Sequence, residues 1–66
     1  MVAAPTASRI GVVVVRTWLE PGHKQVLRAR IVATDFTTDE PIVMAAGSAV
    51  EIVRIVEEWV KHFAAP

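Results

Sequence analysis

The sequence contains no cysteine, no tyrosine and no asparagine, and its lysines are limited to Lys24 and Lys61. Without cysteine, the chain can form neither a disulfide nor a thiolate zinc site. A chain of 66 residues is close to the lower limit for independent folding and usually needs a disulfide, a metal or oligomerisation. Two histidines are a poor basis for a structural metal site. Oligomerisation is therefore the expected source of additional stability.

Neither sign of charge is in excess, because seven basic and seven acidic residues give a formal net charge of +0. This balance gives the chain no overall attraction to nucleic acid or to an anionic membrane. Hydrophobic residues make up 53% of the chain and charged residues 21%, a composition too apolar for intrinsic disorder. We expect a folded protein without a cofactor, which associates wherever its apolar surface is left exposed.

No apolar run of the sequence is long enough to cross a membrane. The run at residues 10–15 is far shorter than the roughly 20 residues that a membrane helix needs. The first nine residues lack the basic start of a signal peptide. These features predict a cytoplasmic protein with no membrane partner. Abundant alanine, valine and arginine beside scarce lysine are typical of a GC-rich bacterial genome.

The segment Ile10–Leu19, IGVVVVRTWL, predicts a β-strand that is apolar on both faces. A strand of a half-exposed sheet should alternate apolar with polar residues, because successive side chains point to opposite faces. A strand that is apolar on both faces needs cover on both. The rest of the chain offers only one helix. The segment therefore predicts a partner, most economically a second copy of the chain.

Pro21 and Gly22 are typical of a type II turn and predict a hairpin in which Leu19 lies opposite Lys24. This register places Ile10, Val12, Val14 and Trp18 on the face of Leu27, Ala29, Ile31 and Ala33, where the helix is expected. The second face then carries Val13, Val15, Leu19, Val26 and Val32, interleaved with Lys24, Arg28 and Arg30.

The remaining chain predicts a short strand and a helix. Residues 1–8 are expected to form a disordered tail, and residues 9–66 a single domain. A polar loop, DFTTDEP, precedes a third strand at Pro41–Ala46. Ser48 and Glu51 form a capping box, which predicts a helix from Ala49 to about Phe63. The predicted fold is α+β: a three-stranded antiparallel meander with one C-terminal helix packed on one face, in a dimer.

Helical spacing predicts one apolar stripe, which should face the sheet. Ile55 and Trp59 lie on the flank of this stripe, where they either cover the sheet edge or belong to a subunit contact. The stripe consists of Ala49, Ile52, Val53, Val56, Val60 and Phe63.

These patterns predict a small non-enzymatic association module. It is expected to form a homodimer or higher oligomer through the second sheet face, the helix flank or both, and to serve as an accessory subunit if it binds another protein. Face-to-face packing of two sheets is preferred over edge pairing, because edge pairing alone leaves the second face exposed. The predicted interface residues are Val13, Val15, Leu19, Val26, Val32, Ile55 and Trp59.

Nucleic-acid binding through the basic residues of the second face is the alternative. In the predicted register Lys24, Arg28 and Arg30 share that face, where phosphates could bind. The neutral net charge weighs against this function, as does the lack of aromatic side chains on that face. No catalytic or metal-binding residue is predicted. The acidic residues Asp35, Asp39 and Glu40 lie in a loop, where such residues usually face water or bond to local backbone.

Overall fold

The computed structural model describes residues 9–22, 24–38 and 40–66. In this part of the chain three strands precede one helix: β1 (Gly11–Glu20), β2 (Val26–Asp35), β3 (Glu40–Ala46) and α1 (Ala49–Ala64). The strands form one antiparallel sheet in the order β1-β2-β3. The predicted α+β meander with a C-terminal helix is confirmed. The predicted tail at residues 1–8 lies outside the described residues.

The pairing of β1 with β2 differs from the predicted register by three residues. Leu19 lies opposite Leu27 instead of Lys24, and Val15 lies opposite Ile31 instead of Arg28. A shift by an odd number of residues exchanges the two faces of a strand. The odd-numbered residues of β1 therefore lie on the side of the helix, and the predicted assignment of the faces of β1 is wrong.

Arg16 gives the physical reason for this exchange. It belongs to the even-numbered set of β1, so the predicted register would have placed a guanidinium beneath the helix, and an unpaired buried charge is costly. The odd-numbered set contains no charged residue within β1. It also contains Gly11, over which Trp59 and Phe63 pack. The observed register therefore directs the face without a charge toward the helix.

Ser48 caps α1 as the capping box predicts. The backbone N–H of Glu51 donates a hydrogen bond to the Ser48 hydroxyl at 3.1 Å. The Glu51 carboxylate accepts a hydrogen bond from the backbone N–H of Gly47 at 3.1 Å, where the capping box predicted the N–H of Ser48. Both bonds satisfy amide groups at the helix start, which have no partner within the helix.

The helix is rotated relative to the predicted stripe. Ile55 and Trp59, which were expected on a flank, are half-buried against the sheet, whereas Ala49, Val53 and Val60 are exposed. The larger side chains remove more apolar area from water, so turning them inward is favourable. The residues of the apolar stripe that do lie half-buried toward the sheet are Ile52, Val56 and Phe63.

The core of the described chain is small. Ile31 is its only large side chain that is fully buried; the other buried residues are Ala29, Ala33 and Ala46. No residue of α1 is buried. Fully burying one isoleucine contributes about 1.5–3 kcal/mol, and alanine side chains contribute less. A single copy therefore has few buried contacts with which to offset the entropy of folding.

Candidate association surfaces

The sheet has two faces of different composition. The helix side carries the odd-numbered residues of β1 and β2, and the open face carries their even-numbered residues. On β1 the helix side presents Gly11, Val13, Val15, Thr17 and Leu19. The open face presents Val12, Val14, Arg16, Trp18 and Glu20 of β1 with Val26, Arg28, Arg30, Val32 and Thr34 of β2.

The predicted interface residues do not share one surface. Val26 and Val32 lie on the open face, whereas Ile55 and Trp59 are half-buried against the sheet. Val13, Val15 and Leu19 lie on the helix side, where Val15 is still 40% exposed and Leu19 54% exposed. The grouping of the five strand residues follows from the wrong register, and that of Ile55 and Trp59 from the predicted rotation of the helix; the part of all seven in an interface stays a prediction.

A groove of about 460 Å³ lies between α1 and β3. Ile42 and Met44 line it from the strand, and Ile55, Glu58 and Trp59 line it from the helix. The flank of α1 that carries these residues is therefore directed toward β3. Since β3 and β1 are the opposite edges of the sheet, the other flank of α1 is directed toward β1.

Arg9 ties the start of the sheet to the end of the helix. Its guanidinium forms an ion pair with Asp35, donates a hydrogen bond to the Phe63 carbonyl at 3.2 Å and lies 4.6 Å from the centre of the Phe63 ring. The hydrogen bond from Arg9, together with one from the backbone N–H of Thr37, holds the pKa of Asp35 below its usual value of 3.8. Asp35 therefore stays ionised at neutral pH and is not suited to act as a general acid.

Gly11 is needed where the end of the helix crosses β1. A Cβ atom at this position would lie 2.5 Å from Cη2 of Trp59 and 2.9 Å from Cε1 of Phe63. We expect Gly11→Ala to lower the free energy of unfolding by about 1–3 kcal/mol, the usual cost of overpacking. Urea denaturation followed by circular dichroism measures the change. Gly22→Ala is the matched control, because its Cβ would meet only the Lys24 carbonyl oxygen at 3.7 Å. Equal effects of the two substitutions would contradict this packing.

The flank of α1 that is directed toward β1 is apolar and exposed. We call it the valine flank; Val53 is 63% exposed and Val60 47% exposed, and Ala49 and Val50 are also exposed. The helical period alone does not set the rotation of the helix, so the predicted core stripe included Ala49, Val53 and Val60. The larger size of Ile55 and Trp59 was the signal that could have corrected it.

The outer edge of β1 presents backbone groups that no other described strand pairs with. The Ile10 carbonyl accepts a hydrogen bond from the Phe36 N–H at 3.0 Å, so these residues form a hydrogen-bonded pair next to β1. The direction of the N–H and C=O groups alternates along an antiparallel strand. The even-numbered residues of β1 therefore bond to β2, and the odd-numbered residues direct their N–H and C=O groups to the outer edge.

The open face holds Arg28 and Arg30, two of the three basic residues that the nucleic-acid alternative invoked, together with Arg16 and Trp18. Arg30 lies directly opposite Arg16, and Arg28 lies opposite Trp18. Lys24 lies in the hairpin loop, outside the strands. Sequence reasoning missed Arg16 and Trp18, because the wrong register assigned them to the helix side. The charge of Arg16 within the even-numbered set was the available signal.

Within the described ranges, no group of three histidine, cysteine, aspartate or glutamate side chains could hold a metal ion. Asp39, considered in the sequence analysis, and His23, one of the two histidines, lie outside these ranges. No helix of the described chain is long and apolar enough to span a membrane. The chain matches no protein-family model, no curated protein and no solved structure.

Proposed function

We propose that this chain is a non-enzymatic association module that forms a homodimer by pairing β1 with β1 of a second copy. The small core carries the proposal: Ile31 is the only large side chain fully buried in the described chain, while valines and a leucine beside β1 remain exposed. Short chains that lack disulfides commonly obtain their missing stability from oligomerisation. A second copy at this edge would extend the sheet and shelter the exposed apolar residues.

The direction of the backbone groups of β1 restricts how two copies can pair. Odd-numbered residues direct their N–H and C=O groups outward, so they must lie opposite odd-numbered residues of the second copy. Residues that lie opposite each other point to the same side of a sheet. The helix sides of the two copies therefore coincide, and both helices lie on one face of a six-stranded sheet.

Several registers place odd-numbered residues opposite odd-numbered residues. The length of β1 that is paired and the charges that are brought together favour one of them. Centring the two-fold axis on Val15 pairs nearly the whole of β1, with Val13 opposite Thr17 of the second copy. It also places Arg16 opposite Val14 of the second copy. Centring the axis on Arg16 would give a similar overlap but place two arginines directly opposite each other, which is destabilising. We therefore favour the axis at Val15.

This arrangement accounts for the apolar residues that a single copy leaves exposed on the helix side of β1, whereas Val12, Val14 and Trp18 stay on the open face. We call the line along which the two β1 strands pair the seam. Val15 and Leu19 lie on the helix side of the sheet at the seam, where residues of the second copy would cover them. The valine flanks of both helices, with Val53 and Val60, are directed toward the same seam. The seam would thus bring Val15 and Leu19 of both copies together with the exposed valines of both helices on the helix side of the sheet.

The other available surfaces suit a second copy less well. β3 is shorter than β1, and its Pro41 lacks the N–H that edge pairing requires. Packing two open faces together would bury Arg16, Arg28 and Arg30, and Glu20 is the only carboxylate on the β1 and β2 part of that face. Arg28 pairs with Glu20, but desolvating the guanidinium groups of Arg16 and Arg30 without carboxylate partners would be costly.

Sedimentation equilibrium at micromolar concentration tests the proposal. We expect a species of twice the 7.2 kDa chain mass, dissociating on dilution. A 7.2 kDa species throughout the micromolar range would contradict self-association. A dimer whose amide hydrogens exchange as fast at Val13, Val15 and Thr17 as in a dissociated sample would contradict pairing through β1, because paired amides are protected from exchange.

A further inference from the structure

Two arginines lie side by side in the middle of the open face. Arg16 and Arg30 are directly opposite each other on β1 and β2, and both are exposed. The ion pairs of the described chain involve neither of them. Like charges directly opposite each other destabilise a sheet. An anion that bridges the two guanidinium groups would remove this repulsion.

An exposed aromatic ring lies next to the arginine pair. Trp18 follows Arg16 by two residues on the same face, is 42% exposed, and its ring centre lies 5.8 Å from the Arg16 guanidinium carbon. Arg28, opposite Trp18, donates a hydrogen bond from Nε to the Glu20 carboxylate at 3.2 Å. Arg28 is thus already paired with a carboxylate, whereas Arg16 and Arg30 belong to none of the ion pairs of the described chain, and the Trp18 ring, over which the Arg16 guanidinium lies, is partly exposed.

On the side of the arginine pair away from Trp18, the open face is apolar. Val14 and Val32 lie opposite each other on the side of Arg16 away from Trp18, and Val43 lies opposite Val32 on β3. These side chains form a flat apolar surface beside the cationic pair. A ligand that combines regularly spaced anionic groups with flat apolar rings would match both parts of the surface.

We infer that the open face binds single-stranded nucleic acid, with Arg16 and Arg30 on backbone phosphates and Trp18 stacked on a base. Guanidinium groups bind phosphates through paired hydrogen bonds. Unpaired bases stack on exposed aromatic side chains, an interaction that a duplex does not offer. An acidic protein segment would satisfy the arginines but would not use the ring of Trp18. The site consists of residues of one copy and does not depend on the proposed dimer.

Fluorescence anisotropy with a labelled oligothymidylate of about 15 nucleotides tests this inference, at a salt concentration near 50 mM. We expect Arg16→Gln with Arg30→Gln to weaken binding at least about tenfold. A plot of the logarithm of the binding constant against the logarithm of the salt concentration has a negative slope. The same pair of substitutions should make this slope less steep by about 1.4, because each phosphate that an arginine neutralises on a single strand contributes about 0.7. Trp18→Leu should weaken binding about tenfold without changing that slope. Circular dichroism verifies that each variant remains folded.

The matched control is Arg54→Gln with Lys61→Gln, which removes the same charge from exposed positions of α1. We expect this control to retain the wild-type affinity within about twofold and the wild-type salt slope. Equal weakening by both pairs of substitutions would overturn the site, as would no binding at protein concentrations up to about 100 μM. Equal or tighter binding of a duplex, or of polyglutamate, would overturn the assignment to single strands.

Discussion

Replacing Thr17 by proline should convert the dimer into a folded monomer. The N–H of Thr17 is directed to the outer edge of β1, so proline removes no hydrogen bond within the chain, and the Thr17 side chain is exposed. In the proposed dimer this N–H donates a hydrogen bond to the Val13 carbonyl of the second copy. The two-fold axis repeats the bond, so each dimer contains two of them. Losing two hydrogen bonds of about 1–1.5 kcal/mol each should raise the Kd of the dimer about 100-fold. Sedimentation equilibrium measures the Kd.

Arg16→Pro is the matched control for this result. Arg16 is the neighbouring residue, and its N–H is directed to β2, where it lies opposite Arg30. Proline here would break the ladder within one chain and leave a strand carbonyl without its donor, which costs about 1–3 kcal/mol. We expect the midpoint temperature of thermal unfolding to fall clearly for Arg16→Pro and only slightly for Thr17→Pro. Both variants are measured at a protein concentration at which they are monomeric.

Val43→Lys separates edge pairing from packing of the open faces. Val43 lies on β3 and belongs to the open face, well away from the outer edge of β1. The edge-paired dimer should retain its Kd when Val43 becomes lysine, because the substitution does not touch the seam. A dimer that survives Thr17→Pro but dissociates with Val43→Lys would contradict the proposed pairing and support contact between open faces.

Ile31→Ala should remove a large part of the stability of the fold. Ile31 lies at the centre of the sheet, opposite Val15 on one side and Met44 on the other, and none of its surface is exposed. Truncating a buried isoleucine to alanine costs about 2–5 kcal/mol. The total stability of a domain of this length is roughly 3–10 kcal/mol. One substitution would therefore remove much of the stability of the fold, which urea denaturation at fixed protein concentration measures.

Ile42→Ala provides the same chemical change at an exposed position. Ile42 is 53% exposed, so its truncation removes little buried area and should change the free energy of unfolding by about 0.5 kcal/mol. Both substitutions replace isoleucine by alanine within a strand, so they change β-propensity equally. The difference between their free energies of unfolding therefore measures the contribution of burial in the core. If Ile31→Ala were no more destabilising than Ile42→Ala, then Ile31 would not be the centre of the core.

The elements themselves could be predicted from local patterns. The run of valines after Ile10 predicts β1, and the Ser48–Glu51 spacing predicts the start of α1, because a strand and a helix cap depend on residues close in sequence. The turn at Pro21 and Gly22 correctly predicted a hairpin. The strands, however, end at Glu20 and begin again at Val26, farther apart in sequence than the tight turn that the proline–glycine pair alone suggested.

The candidate surfaces depended on two features that local patterns leave open. Moving β1 by three residues transfers Arg16 and Trp18 from the helix side to the open face. A rotation of α1 moves Ile55 and Trp59 inward and exposes Val53 and Val60. Neither the helical period nor the strand period distinguishes these alternatives, because each period repeats equally well in either arrangement. The site residues predicted from sequence were therefore divided between two faces.

The sequence by itself determined which segments are strands or helix, their order, and the excess of apolar side chains over what one helix can cover. Tertiary structure decided which side of β1 meets the helix and which flank of α1 stays exposed. The physical reason is that register and rotation are set by the total burial of residues distant in sequence. Trp59 packing over Gly11 and the exclusion of Arg16 from beneath the helix are features that exist only once the chain has folded.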